Sequence, residues 1–222
     1  MAVEGLDGAG KATLVGALAE VAAARGATVA HRAFPRYHDD VHAELAGEAL
    51  RGGLGDTADS VHAMAVLFAL DRRAAAADLR AEAHHHDLLL VDRYVASNAA
   101  YGAARRHERA DGGFVTWVHD LEVRRFAVPA PDVQVLVRVP REVAAQRVRD
   151  RAASSGRSRD GYESDDELQS RCATVYDELV DAAWLAPWFV AETTPGTGDT
   201  LTRSAESVLD ACLGRRSVAD RR

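Results

Sequence analysis

Gly5-Leu6-Asp7-Gly8-Ala9-Gly10-Lys11 contains the only lysine of the 222-residue chain; every other member of its 27 Lys and Arg residues is arginine. The spacing, Gly, four residues, then Gly-Lys, is that of a phosphate-binding loop, in which backbone N–H groups cradle phosphate oxygens and a slim ammonium reaches the β- and γ-phosphates. A planar guanidinium is too wide for that task, so a lysine retained at this one place points to a nucleotide. The surroundings fit. Ala2-Val3-Glu4 reads as the end of a buried strand, and Leu14, Val15, Leu18 and Val21 recur with a helical period from Lys11 to Arg25. A strand, a glycine turn and a helix whose N-terminus faces an anion therefore follow in order.

Beyond the loop, strand and helix patterns alternate. Residues 28–34 read as a strand ended by Pro35, 38–51 and 56–83 as helices, and 88–92 as a strand apolar on both faces, the mark of a parallel sheet. Helices are expected at 95–107 and 113–126, a strand at 133–139 and a helix at 141–151. A mobile Ser/Gly/Arg stretch should run to Gly161, followed by a helix at 165–182, a strand at 188–191 and a helix at 199–213. The pattern predicts a doubly wound α/β fold with about five parallel strands and ligands at their carboxyl ends. One domain is expected over 1–213, with a flexible tail at 214–222 carrying Arg215-Arg216 and Arg221-Arg222. Only four residues precede the first glycine, short for a central strand, which suggests a truncated or misassigned start.

An apolar share of 47% is ample for one core, and the net charge of −7 argues against a general nucleic-acid surface. Two cysteines, Cys172 and Cys212, make no disulfide framework, and no apolar run reads as a membrane span or secretory signal, so a cytoplasmic protein is expected. His84-His85-His86 does not read as a metal site. Consecutive helical residues point about 100° apart, and imidazoles at a helix end sit well beside the last carbonyls.

Three further clusters belong near the loop if the strand order holds: Phe34-Pro35-Arg36-Tyr37, Asp92-Arg93-Tyr94 with Ser97, Asn98 and Tyr101, and an arginine-rich segment with Arg149, Arg151, Arg157 and Arg159 leading to Asp160-Gly161-Tyr162-Glu163. Together with the loop they resemble the bacterial thymidylate kinases, and the arginine-rich, lysine-poor wording is most similar to actinobacterial members.

The resemblance implies a three-layer P-loop nucleoside monophosphate kinase fold with helices on both faces of the sheet and a lid at about 149–163. It also implies transfer of the γ-phosphoryl group of ATP to dTMP with Mg2+, and a homodimer. By similarity, Gly5, Leu6, Asp7, Gly8, Ala9, Gly10, Lys11, Ala12, Thr13 and Arg157 bind ATP. Phe34, Arg36, Tyr37, Phe68, Arg72, Arg93, Asn98, Tyr101 and Tyr162, with Asp7, are expected to bind dTMP. Within that set, Phe68 stacks on the base, Arg72 and Asn98 contact it, Tyr101 lies under the deoxyribose and Arg36 holds the acceptor phosphate. Phe68 and Arg72 are four apart and Asn98 and Tyr101 three apart, so each pair shares a helical face.

Phosphoryl transfer needs positive charge around the transferred group, and Lys11, Arg93, Arg149 and Arg151 are the expected sources, with Asp7 completing the catalytic set. Some relatives carry an arginine within the loop, where this chain has Gly8, so the extra cation is expected from the arginine-rich segment. Asp7, Asp92 and Glu163 are the expected magnesium carboxylates. Ala12 departs from the usual hydroxyl after the lysine, and Thr13 follows one place late. Two alternatives stay open, a kinase for another nucleoside or nucleotide and, because Ala12 removes a metal ligand, a nucleotide-binding module without turnover. A switch GTPase is excluded, since no Asn-Lys-x-Asp motif exists in a chain whose sole lysine is Lys11.

Overall fold

The computed structural model describes residues 1–155, 162, 165–192 and 198–219, without the side chains of 141, 151, 152, 154, 155, 198–201 and 213–219. Five parallel strands, β1 (Ala2–Glu4), β2 (Val29–Ala33), β3 (Leu88–Asp92), β4 (Gln134–Arg138) and β5 (Trp188–Glu192), lie in the order β2-β3-β1-β4-β5. β1 is central. It is shorter than its neighbours, with Val3 opposite both Asp92 and Val135, so the loop after Glu4 leaves the sheet beside the carboxyl ends of β3 and β4.

The helices are α1 (Lys11–Ala24), α2 (Val41–Leu50), α3 (Val61–His85), α4 (Val95–Arg105), α5 (Gly113–His119), α6 (Arg141–Ser155), α7 (Asp166–Asp181) and α8 (Gly198–Ala219). The apolar stripe read from α1 is buried at Leu14, Val15 and Leu18, and Leu90 and Val91 of β3 are buried with it. β2 forms an edge, exposed from His31 to Ala33. α2, α3 and α7 begin with Asp40, Ser60 and Asp165, whose side chains accept hydrogen bonds from first-turn N–H groups. Such caps contribute about 1 kcal/mol each. His85 and His86 close α3 with their Nδ1 atoms on the carbonyls of Ala81 and Glu82, as expected of a helix end.

Several boundaries differ from expectation. α2 begins at Val41 instead of 38, and α3 at Val61 instead of 56, after a short 3-10 turn at Thr57–Asp59. The 113–126 helix is interrupted after His119 by a π-helical turn, Asp120–Arg125, in which Phe126 N–H reaches the Leu121 carbonyl five residues back. Glu122 lies on this turn, fully buried in line with Val115 and Val118, at a spacing where an apolar residue and not a carboxylate is expected. α6 passes Arg151 to Ser155 through Ala152 and Ala153, strong helix formers, and α8 passes Leu213 to Ala219 through arginines that favour helix equally. The stretch 156–161, expected to be mobile, and residues 220–222 of the tail lie outside the described residues.

Candidate functional site

Asp7 of the loop and the residues singled out after β2 and after β3 converge on one cleft. Asp7, Phe34, Tyr37, Phe68, Arg72, Arg93, Asn98, Tyr101 and Tyr162 all line it. Met64 and Ala65 of α3 extend its apolar floor.

At one end is the glycine loop. Gly5, Gly8 and Gly10 have φ of 144°, 76° and 97°, conformations that disfavour other residues. A Cβ on Gly5 would lie 2.7 Å from the Val137 carbonyl, and one on Gly8 would lie 2.2 Å from that of Ala144 on α6. The second contact gives a steric reason why this loop carries no arginine at position 8. Unlike α2, α3 and α7, α1 starts on Gly10 with no side-chain cap, so its first N–H groups are left for an anion. Ala12 and Thr13 follow on the exposed face of this turn.

Lys11 is buried, and its Nζ donates to the carbonyls of Gly5 (3.1 Å) and Leu6 (2.8 Å). Burial, reinforced by the nearby Arg93 cation, lowers its pKa to about 8 against the opposing pull of Asp7, Asp92 and Glu4. Arg93 has a left-handed backbone (φ 61°), and its N–H is fixed by the Val3 carbonyl at 2.9 Å. Its guanidinium pairs with Asp7, lies 5.5 Å from the centre of the Tyr101 ring and reaches the Gly5 carbonyl at 3.3 Å. Burial would raise the Asp7 pKa, but Arg93, Lys11 and the Tyr101 hydroxyl at 2.8 Å outweigh it and hold the acid down to about 2. Asp7 is thus a fixed anion between two cations.

Glu4, which the sequence reading passed over, is fully buried beneath this turn. Its carboxylate accepts from Tyr94 N–H (2.9 Å) and Ser97 Oγ (2.5 Å), and burial raises its pKa despite those bonds and Arg93. A charge ending a fully buried strand was the available signal. Gln169 of α7, also passed over, donates to the Tyr162 carbonyl (3.0 Å) and approaches Asp7 (3.4 Å). Tyr162 stacks on Tyr101 with ring centres 6.0 Å apart.

At the other end, Phe68 and Arg72 of α3 and Asn98 of α4 share the wall. Arg72 is clamped by Glu122 through Nε (2.5 Å) and Nη2 (2.7 Å). Arg36 does not line the cleft with its neighbours Phe34, Pro35 and Tyr37. Its guanidinium is held by the Asp71 side chain (2.7 Å) and carbonyl (2.8 Å) and by Asp40 (3.2 Å).

In α6 the structure sets Arg147, not Arg149, against the loop. Arg149 is exposed and bonds Gln146 Oε1 at 2.8 Å, whereas Arg147 reaches the Gly8 and Ala9 carbonyls of the loop at 3.4 and 3.3 Å. The reason is the helical period: Ala144 and Val148 pack on Gly8, Arg147 shares their face, and a residue two places on points roughly 200° away. The apolar pair at 144 and 148 was the signal that marks this face. The side chain of Arg151, and residues Arg157, Arg159 and Glu163, lie outside the described residues.

For magnesium, Asp92 offers the clearest fit. Its Oδ1 is buried and has no hydrogen-bond partner among the described residues, and its charge is felt by Lys11 and Arg93. Two carboxylates, Asp92 and Asp7, at a phosphate loop suit a hard cation that keeps waters and takes its remaining ligands from phosphates. Among the described residues no group of three or more His, Cys, Asp or Glu forms an all-protein cage, and no helix is long and apolar enough to cross a membrane.

Residues 3–192 match the family model for thymidylate kinase. The chain is 50% identical over 199 residues to the thymidylate kinase of Mycobacterium tuberculosis, covering 88% of this chain and 93% of that protein. It is 29% identical over 221 residues to that of Xanthomonas euvesicatoria, covering 99% and 87%. Among solved structures, the thymidylate kinase of Candida albicans superposes with a TM-score of 0.68 at 17% identity, covering 95% of this chain and 90% of that one.

Proposed function

The chain belongs to the thymidylate kinase family and is an ATP-dependent dTMP kinase, and from that premise we propose how its residues divide the transfer of the γ-phosphoryl group to dTMP. Thymine stacks on Phe68, with Arg72 and Asn98 on its hydrogen-bonding edge. The deoxyribose lies on Tyr101, whose hydroxyl is tied to Asp7 and leaves little space for a 2′-hydroxyl. Asp7 then faces the sugar hydroxyl and the magnesium environment.

Lys11 and the uncapped start of α1 bind the β- and γ-phosphates. Arg93 and Arg147 bring positive charge to the oxygens between donor and acceptor, where charge builds in the transition state. In the ligand-free protein Arg36 is held on Asp71 and Asp40, so it reaches the acceptor phosphate by exchanging one of those contacts. Asp92 and Asp7 would hold hydrated Mg2+, which supplies charge neutralisation at the phosphates. A homodimer in the cytoplasm completes the reading, and light scattering tests the dimer.

The observation that carries the assignment of roles is the cleft in which Asp7 of the phosphate loop and Arg93 meet the wall formed by Phe68, Arg72 and Asn98. A coupled ATP-turnover assay over a panel of nucleosides and nucleoside monophosphates tests it. dTMP should be preferred over dUMP by about 10- to 200-fold, the range of one methyl in an apolar pocket, and over thymidine by far more. Equal turnover of thymidine and dTMP contradicts the proposal.

A further inference from the structure

Glu122 touches neither the phosphate loop nor the cleft surface, yet it organises both side chains that face the base. It is fully buried, on the π-helical turn, whose backbone is anchored further by Val128 N–H on the Glu122 carbonyl at 2.9 Å. Through Oε2 and Oε1 it takes two parallel hydrogen bonds from Arg72, and through Oε1 a third from Asn98 Nδ2 at 2.8 Å. The other Nδ2 contact of Asn98 is the Ala65 carbonyl at 3.0 Å.

The chemistry of those partners removes an ambiguity that a side-chain amide normally has. A carboxylate and a backbone carbonyl accept hydrogen bonds and cannot donate them. Turning the Asn98 amide over would set its Oδ1 against two acceptors, so Nδ2 stays inward and Oδ1 is left as the acceptor. Arg72 is a donor in every orientation, and only part of its five N–H groups is used on Glu122. The wall therefore shows an acceptor beside a donor. A lactam edge, with N–H next to C=O, is complementary; the amidine edge of a cytosine, with a bare ring nitrogen next to an amine, is opposed at both positions.

Stability is a weak reason for this arrangement, since buried ion pairs are often no more stable than the apolar groups that could replace them. We propose that Glu122 is a specificity-determining positioning residue, which fixes the Asn98 amide and the Arg72 guanidinium so that the pocket accepts a lactam-edged pyrimidine nucleotide and rejects an amidine-edged one. The inference rests on the dTMP reading of the cleft.

The informative pair of substrates is dTMP and 5-methyl-dCMP, which share the methyl group, the sugar and the phosphate and differ in edge polarity. The wild-type protein should prefer dTMP by at least about 10³-fold in kcat/KM, because the wrong edge strands buried polar groups. Glu122→Gln puts an amide donor against Arg72 or Asn98, and frees the Asn98 amide to turn. In that variant the preference should fall at least about tenfold and the KM for dTMP should rise at least about tenfold, with kcat for dTMP kept within about threefold.

A preference and KM unchanged within about twofold in folded Glu122→Gln would overturn the proposal, leaving Glu122 a structural ion-pair partner. If that variant fails to melt cooperatively, Glu122→Asp carries the test. It keeps the acceptor polarity and shortens the reach, so the edge preference should survive while the KM for dTMP rises at least about fivefold; an unchanged KM overturns the proposal. A wild-type protein that does not phosphorylate dTMP refutes the reading of the cleft itself, a different outcome from an unaltered preference in the variant.

Discussion

At the base end of the cleft, Arg72 and Asn98 are fastened from behind by Glu122 and the Ala65 carbonyl, and the atoms that would meet a ligand stay where the ligand needs them. At the phosphate end, Lys11 and Arg147 are fastened by the face that a ligand would use. Lys11 lies on the Gly5 and Leu6 carbonyls, Arg147 on those of Gly8 and Ala9, and Arg93 on Asp7. In the proposed roles these carbonyl oxygens would give way to phosphate oxygens. One end is preorganised before binding, and the other must exchange protein contacts for ligand contacts. Changes at the base end should therefore appear in KM and selectivity, and changes at the phosphate end in kcat.

The largest effect expected is at Lys11. Lys11→Arg keeps the charge but not the slender reach, and kcat/KM for ATP should fall about 10³-fold in steady-state turnover. A variant within about threefold of wild type would show that the sole lysine is not the phosphate ligand.

Arg147→Ala and Arg149→Ala sharpen the contrast within α6. The first should lower kcat about 10- to 100-fold with a small change in KM for dTMP, the second less than about threefold, because only Arg147 shares the face packed on the loop. Equal losses would break the assignment of that face.

A pH profile probes the exchange at Lys11. Burial first, then Arg93, brings its pKa down from 10.5 to about 8, so the free protein loses this cation as pH rises through 8. kcat/KM for ATP should decline above about pH 8, while kcat, measured with phosphates bound beside the ammonium, should hold to higher pH. The sign for stability is separate: the unfolded lysine keeps its proton to 10.5, so from this group alone stability rises between pH 8 and 10.5. Asp7 has the same sign in a more acidic window, since its folded pKa of about 2 also lies below the ordinary 3.8. Its contribution is complete above about pH 4 and is lost as pH falls through 2.

The smallest effect concerns Ala12. Asp92→Asn should raise the magnesium needed for half-maximal rate about tenfold, whereas Ala12→Ser should move it less than about twofold, because carboxylates, waters and phosphates would supply the ligands without a hydroxyl at position 12. A large gain from Ala12→Ser would make the phosphate end a weakened version of the general loop.

Much of this was legible in the sequence because it depends on local patterns. The glycine loop, the strand at 88–92 and the pairs Phe68/Arg72 and Asn98/Tyr101 are spaced by turns and helical periods, and the sheet brings them together. What was not legible are the partners that hold those side chains. Glu122 shares the buried face of Val115 and Val118, but its partners Arg72 and Asn98 are 50 and 24 positions away, and Asp71 acts on a residue 35 positions away. Arg147 is the arginine on the loop face of α6, which the apolar pair Ala144 and Val148 marks and charge alone does not. Glu4 was within reach, as a charged residue at the end of a buried strand.

A structure with dTMP and a non-hydrolysable ATP analogue bound tests the contrast between the two ends most directly. The account predicts that both Arg72 bonds and the Asn98 bond to Glu122 persist within hydrogen-bonding distance, while Lys11 Nζ leaves the Gly5 and Leu6 carbonyls for phosphate oxygens. A complex in which Glu122 releases Arg72 or Asn98 to reach the base, with Lys11 still on its carbonyls, would contradict it.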